Sequence, residues 1–379
     1  MKKLLFVINQ FYKGGAETAL LNLFHALSPQ EYEVDFLLFD QIDQPNAVSL
    51  TPLLPSWVNV CNAAQAEGRF AIVKKVAFKV WQKLTRRQMY RAAAYRFVRG
   101  KHYDAAFSYG EWMSPEFVAK KVDAAQKYVW IHADVDKAPY VDPQILFGFD
   151  PYYQKYLFVS RQSMESAARR FPFLKGRTAV VHNMCADEGI REQAQEPLEQ
   201  SWPTDRPVVL TVANFRPEKN HLRQVEAMKI LRDRGVEFTW VNVGCSADFL
   251  VRQKLDQTIQ KYGLETSFLR LPADPNPYKY MKRADLVAVL SDFEAWSLVI
   301  TEAKLLGVPV LATRTSGAME QIVNGETGVL CDFDAQAIAD ALEQLLKDGK
   351  MRSEIHRNLQ GFSTRQTTLM ELEQLLKGE

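Results

Sequence analysis

Short apolar runs, rich in β-branched and aromatic residues, recur along the chain at intervals that leave room for a helix between each pair. Leu4 to Ile8, Val34 to Phe39, Ala105 to Ser108, Tyr128 to Ile131, Leu157 to Ser160 and Ala179 to Val181 form a first series. After Pro203 the series restarts with Val208 to Ala213, Phe238 to Val243, Phe268 to Leu271, Leu286 to Leu290 and Val308 to Ala312. Strands alternating with helical stretches predict parallel sheets with crossover helices, and two series predict two sheets. Between them, Asp187 to Asp205 is rich in Glu, Gln and Pro and poor in large apolar residues, so it reads as a linker. The expected domains are residues 1–186 and 187–362, followed by a helical stretch over 363–379 that can pack on either, the first included.

The length of 379 residues is enough for two cores, and 47% hydrophobic with 24% charged residues is ordinary for a globular protein. Two cores favour a cleft between domains. Cys61, Cys185, Cys245 and Cys331 show no paired spacing, which argues against a disulfide framework or a zinc site and for a reducing, cytoplasmic setting. Leu4 to Ile8 is too short for a signal-peptide core, and no uncharged apolar run reaches transmembrane length, so neither a leader nor a span is expected.

The net charge of +2 conceals an asymmetry: residues 1–185 carry 24 Lys and Arg against 16 Asp and Glu, and residues 186–379 carry 23 against 29. The basic excess lies in residues 69–101, which hold 11 cations and no acid. Within it Val73, Val76, Ala77, Val80, Trp81 and Leu84 recur at helical spacing, predicting a basic amphipathic helix. Such a helix suits an anionic membrane surface, where each lysine contributes about 1 kcal/mol and a Trp settles at the interface. A core-packing helix with a solvated basic back has an equal claim. No helix-turn-helix, zinc or aromatic RNA-binding signature accompanies the charge, so nucleic acid is not an expected partner.

Candidate chemistry concentrates at the carboxyl ends of the predicted strands. After Leu286 to Leu290, Glu294 falls in a loop and Glu302 inside a helix beginning near Ser297. Free N–H groups of Ser297, Leu298 and Val299 at that helix start suit a diphosphate, with the macrodipole assisting. Glu302 then meets vicinal hydroxyls of a ribose, and Glu294 the hydroxyls of whatever lies beyond the phosphates. An acidic turn before a capped helix fits the same residues. After Val208 to Ala213 comes Asn214-Phe215-Arg216-Pro217-Glu218-Lys219, whose Arg216 and Lys219 can neutralise a leaving phosphate. Near the amino terminus Gly14-Gly15 opens a helix and permits close backbone approach, or simply a tight turn. It is neither a dinucleotide fingerprint nor a P-loop, since both glycine patterns are missing. His132, at the end of a first-series strand, is the strongest candidate among six histidines.

Glu294-x7-Glu302 after a strand is followed by Gly307-Val-Pro-Val-Leu-Ala312, Ser316-Gly317-Ala-Met-Glu320 and Asn324-Gly325-Glu-Thr-Gly328. In this order they resemble the donor domain of retaining GT-B glycosyltransferases of the large family 4 (glycosyl transferases group 1), which contains sucrose synthases and bacterial lipid mannosyltransferases. The resemblance spans most of the chain and is strongest from Val208 to Leu330. It implies an α/β GT-B fold, two Rossmann-like parallel-sheet domains facing across a cleft, with the acceptor on the first and the nucleotide sugar donor on the second.

For the site, the resemblance implies that Glu294 contacts the donor sugar, Glu302 the ribose, and Leu271, Pro272 and Ala273 the nucleobase. Lys219 aligns with the diphosphate loop, and Asn214 stands where the family usually has Arg, with Arg216 two positions later. Gly14 and Gly15 fall beside the donor phosphate or the acceptor, and His132 beside the donor sugar. The implied activity is retaining, metal-independent transfer from a nucleotide diphosphate sugar, such as a UDP-sugar, to a hydroxyl of a glycan or lipid-linked acceptor in capsule or exopolysaccharide synthesis. No cofactor is implied. No carboxylate qualifies as a covalent nucleophile, so front-face displacement is expected, the departing phosphate taking the acceptor proton. Asp134-Val-Asp136 superficially matches the metal-binding Asp-x-Asp of the other major glycosyltransferase fold, but that architecture is a different one and no metal is expected. A nucleotide-sugar epimerase of the same fold, or a catalytically silent binding or scaffold subunit, are the alternatives.

Overall fold

The computed structural model describes residues 1–41, 47–64, 80, 92–138, 141–199, 201–245 and 249–378. They form two units, Met1–Met184 with Thr367–Glu379, and Cys185–Gln366. Most of the basic stretch, including Lys74, Lys75, Lys79 and Lys83, lies outside the described residues. Its described end forms the helix Ala92–Val98, and Lys101 beyond it pairs with Asp35 at 2.7 Å. Among the described residues no helix is long and apolar enough to cross a membrane.

In the first unit seven parallel strands run β1 (Lys2–Ile8), β2 (Tyr32–Leu38), β3 (Asn59–Asn62), β4 (His102–Tyr109), β5 (Asp123–Ile131), β6 (Lys155–Phe158) and β7 (Thr178–Val180), in the spatial order β3-β2-β1-β4-β5-β6-β7. Leu4 to Ile8 of β1 are fully buried, as a central strand covered on both faces requires. Phe6 stacks on Phe107 of neighbouring β4 at 4.5 Å. The order reverses between β1 and β4, and at such a switch point the loops leave the sheet in opposite directions and open a crevice at the strands' carboxyl ends. Asp35 in β2 is buried, and Asn59 (2.6 Å), Lys101 (2.7 Å) and Tyr103 (2.6 Å) all donate to it, which compensates its desolvation. The helix Arg365–Lys377 belongs to this unit from Thr367 onward. There Glu371 accepts from the His182 backbone N–H (2.8 Å) and pairs with its Nδ1 (2.6 Å), while Lys2 Nζ donates to Leu376 O (2.7 Å).

The second unit holds β8 (Val208–Val212), β9 (Thr239–Val243), β10 (Phe268–Leu271), β11 (Leu286–Val289), β12 (Val310–Thr313) and β13 (Val329–Cys331), all parallel, in the order β10-β9-β8-β11-β12-β13. Its switch point lies between β8 and β11. Alternate residues feed two cores: Val209, Trp240 and Leu286 pack on one face, and Leu210, Val241 and Val287 on the other. The stretch expected as a linker begins instead with a helix, Asp187–Gln193. Ile190 buries there against Leu305, Arg191 donates to Phe362 O (2.7 Å), and Gln193 O accepts from Asn276 (2.8 Å). A single apolar residue, Ile190, in seven escaped a reading based on composition.

Candidate functional site

In the second unit the loops after β8 and β11 meet at the switch point. Asn214 to Asn220 leave β8, and Asn220 takes the left-handed conformation (φ 52°) that turns the chain into the helix His221–Asp233. Gly244, just after β9, is required for this path, because a Cβ there would collide with the carbonyl of Ala213. Phe215 N–H donates to Cys245 O (2.9 Å), and Asn214 Oδ1 accepts from the N–H and thiol of Cys245, both at 3.2 Å. Asn214 is thus tied to the β9 end. The loop after β11 joins through Asp292 N–H to Glu218 O (2.8 Å) and through Arg223 to Asp292 (2.9 Å).

These contacts bring Lys219 and Glu294 together as an ion pair, with Ser291 Oγ also donating to the Glu294 carboxylate (3.0 Å). Arg216 stays outside this pair: its guanidinium is 67% exposed and its ion-pair contact is Glu218 at 4.0 Å. His221 stacks on Phe215 at 4.3 Å, and burial with the nearby Lys219 charge pushes the imidazole down to about 4, so it is neutral beside the loop.

The helix after Glu294 runs Leu298–Leu305, with Ser297 as its cap residue. Here the structure corrects the expected anion site. Ser297 N–H donates to Gln321 Oε1 (3.0 Å), and Gln321 returns bonds to Ser297 O and Thr301 Oγ1, both at 2.8 Å. A buried glutamine from the following helix therefore occupies the first donor, and the helix start can offer Leu298 and Val299 but not Ser297. Glu302 lies one turn further in, buried, where Tyr278 OH donates to its carboxylate (3.3 Å). Cys185 is close enough that burial, with Glu302 and Asp187 adding to it, pushes its thiol well up. Leu271, half-buried, and Pro272, exposed, end β10 on the same rim.

In the first unit the carboxyl ends of β1, β4 and β5 converge on Tyr109. Its hydroxyl donates to Ala16 O (2.9 Å) at the start of the helix Gly15–Ala26, and its ring lies 4.4 Å from that of His132. The Gly-Gly turn and His132 thus flank one tyrosine. A Cβ on Gly14 would meet only the far end of the Glu17 side chain, which can swing aside, and a Cβ on Gly15 meets open space, so neither glycine is required by the backbone path. Glu111, buried just past β4, accepts the backbone N–H of His132 (3.0 Å). Burial raises both Glu17 and Glu111 to about 7 and lowers His132 to about 3, so the histidine is neutral here. Asp134 and Asp136 are engaged with basic and hydroxyl partners: Lys137 (4.0 Å) reaches the first, Arg170 and Ser166 (both 3.3 Å) the second. Among the described residues no group of three or more His, Cys, Asp and Glu is placed to hold a metal ion.

Residues 192–361, inside the second unit, match the family described as Glycosyl transferases group 1. The second unit is a glycosyl transferases group 1 domain. N-acetyl-alpha-D-glucosaminyl L-malate synthase of Bacillus anthracis is 32% identical over 171 residues, 45% of this chain and 42% of its own. The N-acetylgalactosamine-N,N'-diacetylbacillosaminyl-diphospho-undecaprenol 4-alpha-N-acetylgalactosaminyltransferase of Campylobacter jejuni is 27% identical over 195 residues, 51% of each chain. The matched stretch spans about half the length of these curated relatives. Among solved structures, Anabaena Alr3699/HepE in complex with UDP and glucose aligns with a TM-score of 0.69 at 19% identity, covering 100% of this chain and 99% of its own. An S. aureus TarM mutant in complex with Fondaparinux, alpha-GlcNAc-glycerol and UDP gives 0.72 at 13%, covering 99% and 100%. At these identities the likeness is one of fold, and the two Rossmann-like units are those of the GT-B fold.

Within the group 1 domain, sequence reasoning missed Gln321 and Tyr278, which hold Ser297 and Glu302. Neither carries a local signal, because each acts across more than 20 positions of chain. In the first unit it missed Glu111, although an acid three residues past a predicted strand stands where sheet ligands bind.

Proposed function

We propose that the chain is a retaining glycosyltransferase that moves a sugar from a nucleotide diphosphate sugar to a hydroxyl of a glycan or lipid-linked acceptor, in the synthesis of a cell-envelope polysaccharide. The observation that carries this reading is the Lys219–Glu294 pair at the β8/β11 switch point of a group 1 domain. A cation there can compensate the charge of a departing diphosphate without a metal, in a partly dry site where such compensation is strongest. Leu298 and Val299 amides supply further donors, Glu294 orients the donor sugar and Glu302 the ribose. Leu271 and Pro272 flank the base, and His132 with the Gly14-Gly15 turn serves the sugar and acceptor side. The bond from the sugar to the phosphate oxygen breaks, the acceptor oxygen bonds to the same face, and its proton passes to the departing phosphate. UDP is the first nucleotide to try, since HepE and TarM are structures in complex with UDP. The setting proposed is the cytoplasmic face of the membrane, with residues 69–101 toward anionic lipid.

The test is incubation with labelled UDP-sugars and GDP-sugars and a membrane lipid extract as acceptor, followed by NMR of the product's anomeric centre. Transfer with the donor's configuration kept supports the reading. Inverted product contradicts retention, and an epimerised sugar nucleotide formed without acceptor favours an epimerase.

A further inference from the structure

Glu302 is buried on the helix Leu298–Leu305 of the second unit, and its Oε1 accepts from Tyr278 OH at 3.3 Å. A glutamate reaches its carboxylate through three torsions, the last with a broad profile, so a donor on one oxygen is what restricts the plane of the group. Tyr278 can supply that restriction because its own backbone is held in place. Its N–H donates to Asn276 Oδ1 (3.2 Å), and Asn276 donates through its side-chain amide to Gln193 O (2.8 Å) and through its backbone N–H to Asp274 (2.8 Å). Asp274 also accepts from Tyr280 OH (2.8 Å) and pairs with Lys279 (3.0 Å). The Tyr278 ring packs on the small core of Cys185, Ile190 and Leu305. Burial first, and the Glu302 charge second, push the phenol well above its ordinary value, so it stays a donor.

A carboxylate held in this way offers its remaining lone pairs in a fixed direction, which suits two neighbouring hydroxyls and penalises a ligand that brings only one. A site built to hydrogen-bond a hydroxyl rejects the analogue without it strongly, because a buried polar group is then left unmatched. We propose that Tyr278 is a positioning residue, which sets the plane of the Glu302 carboxylate and so makes the second unit prefer ribonucleotides to 2′-deoxyribonucleotides. This rests on the reading of Glu302 as the ribose ligand and deepens it. Packing needs the ring and not the hydroxyl, so Tyr278→Phe separates a positioning role from a merely structural one.

The test is calorimetric titration of the full chain with UDP, GDP, ADP and CDP, each beside its 2′-deoxy counterpart, in the wild type, Tyr278→Phe, Glu302→Ala and the double variant. The wild type should bind one ribonucleotide about tenfold or more tightly than its deoxy form, for one hydroxyl missing from a buried carboxylate. In Tyr278→Phe that ratio should shrink about threefold or more, chiefly through weaker binding of the ribonucleotide. In the Glu302→Ala background the same substitution should leave the ratio unchanged, because the hydroxyl acts through the carboxylate. An unchanged ratio in Tyr278→Phe overturns the proposal, whether both affinities stand or both fall together, as lost packing would make them. A further change of the ratio in the double variant overturns it as well. A wild type that binds no nucleotide, or binds ribo and deoxy forms equally, overturns the ribose reading of Glu302 and this proposal with it. A discriminating wild type with an unaltered Tyr278→Phe overturns the role of Tyr278 alone.

Discussion

Glu294 Oε1 accepts from both Lys219 Nζ and Ser291 Oγ (3.0 Å), so the carboxylate at the β11 end and the ammonium at the β8 end neutralise each other. On the proposed function, an incoming diphosphate shares the lysine with this carboxylate. Glu294→Gln removes the competitor and keeps the shape. UDP should bind about fivefold more tightly to this variant, the effect of about 1 kcal/mol from a partly exposed pair, while sugar transfer slows. Calorimetric titration checks the first part, and weaker binding would show that Glu294 does not compete for the lysine.

Lys219→Ala should act chiefly on turnover. Losing one preorganised charge at a leaving group costs about 10²- to 10³-fold in kcat. Steady-state kinetics with the donor in excess should show that loss with a much smaller change in KM. Full turnover would remove Lys219 from the phosphate.

Both sheets were legible because buried parallel strands read as continuous apolar runs. Phe268 to Leu271 matches β10 outright, and Leu286 to Leu290 exceeds β11 by one residue. β3 was not legible, because Asn59–Asn62 is a partly exposed edge strand with polar residues at both ends. β13, Val329–Cys331, was not read as a strand either; it follows directly on the Asn324 to Gly328 turn. For the site, Lys219, Glu294 and Glu302 stood out by position after a strand. The Ser297 amide was misjudged because its partner Gln321 is 24 residues away, and chain distance hides such a bond until the helices are packed.

Gly244 answers to backbone geometry rather than to chemistry. In Gly244→Ala the new methyl would overlap the Ala213 carbonyl, and the β9 end or the Asn214 loop must move. The loss should be about 2–3 kcal/mol of stability, as for overpacking at a site that cannot yield. Thermal unfolding measures it, and an unchanged Tm would mean that the loop shifts freely.

Glu111 predicts a pH dependence. Its folded-state pKa of about 7 lies above the ordinary value of 4.5, mainly through burial, so the folded protein binds more protons than the unfolded chain between those values. Stability is full below about pH 4.5 and falls as pH rises to about 7. Glu17 titrates in the same direction, so the comparison must be with Glu111→Gln, which keeps Glu17. The stability of the variant relative to the wild type should rise by up to about 3 kcal/mol from pH 4.5 to 7 and level off above. Urea unfolding across that range reads it out, and a constant difference would mean that Glu111 does not titrate there.

On the proposed function, the second unit holds a nucleotide diphosphate with Glu302 on its ribose. Isothermal calorimetry of the purified protein against UDP, GDP, ADP and CDP, with Glu302→Ala and Lys219→Ala alongside, tests it most directly. The wild type should bind one nucleotide saturably, and Glu302→Ala should lose about tenfold or more in affinity, for two hydroxyls released from a buried carboxylate. Binding of no nucleotide, or equal affinity in Glu302→Ala, would contradict it.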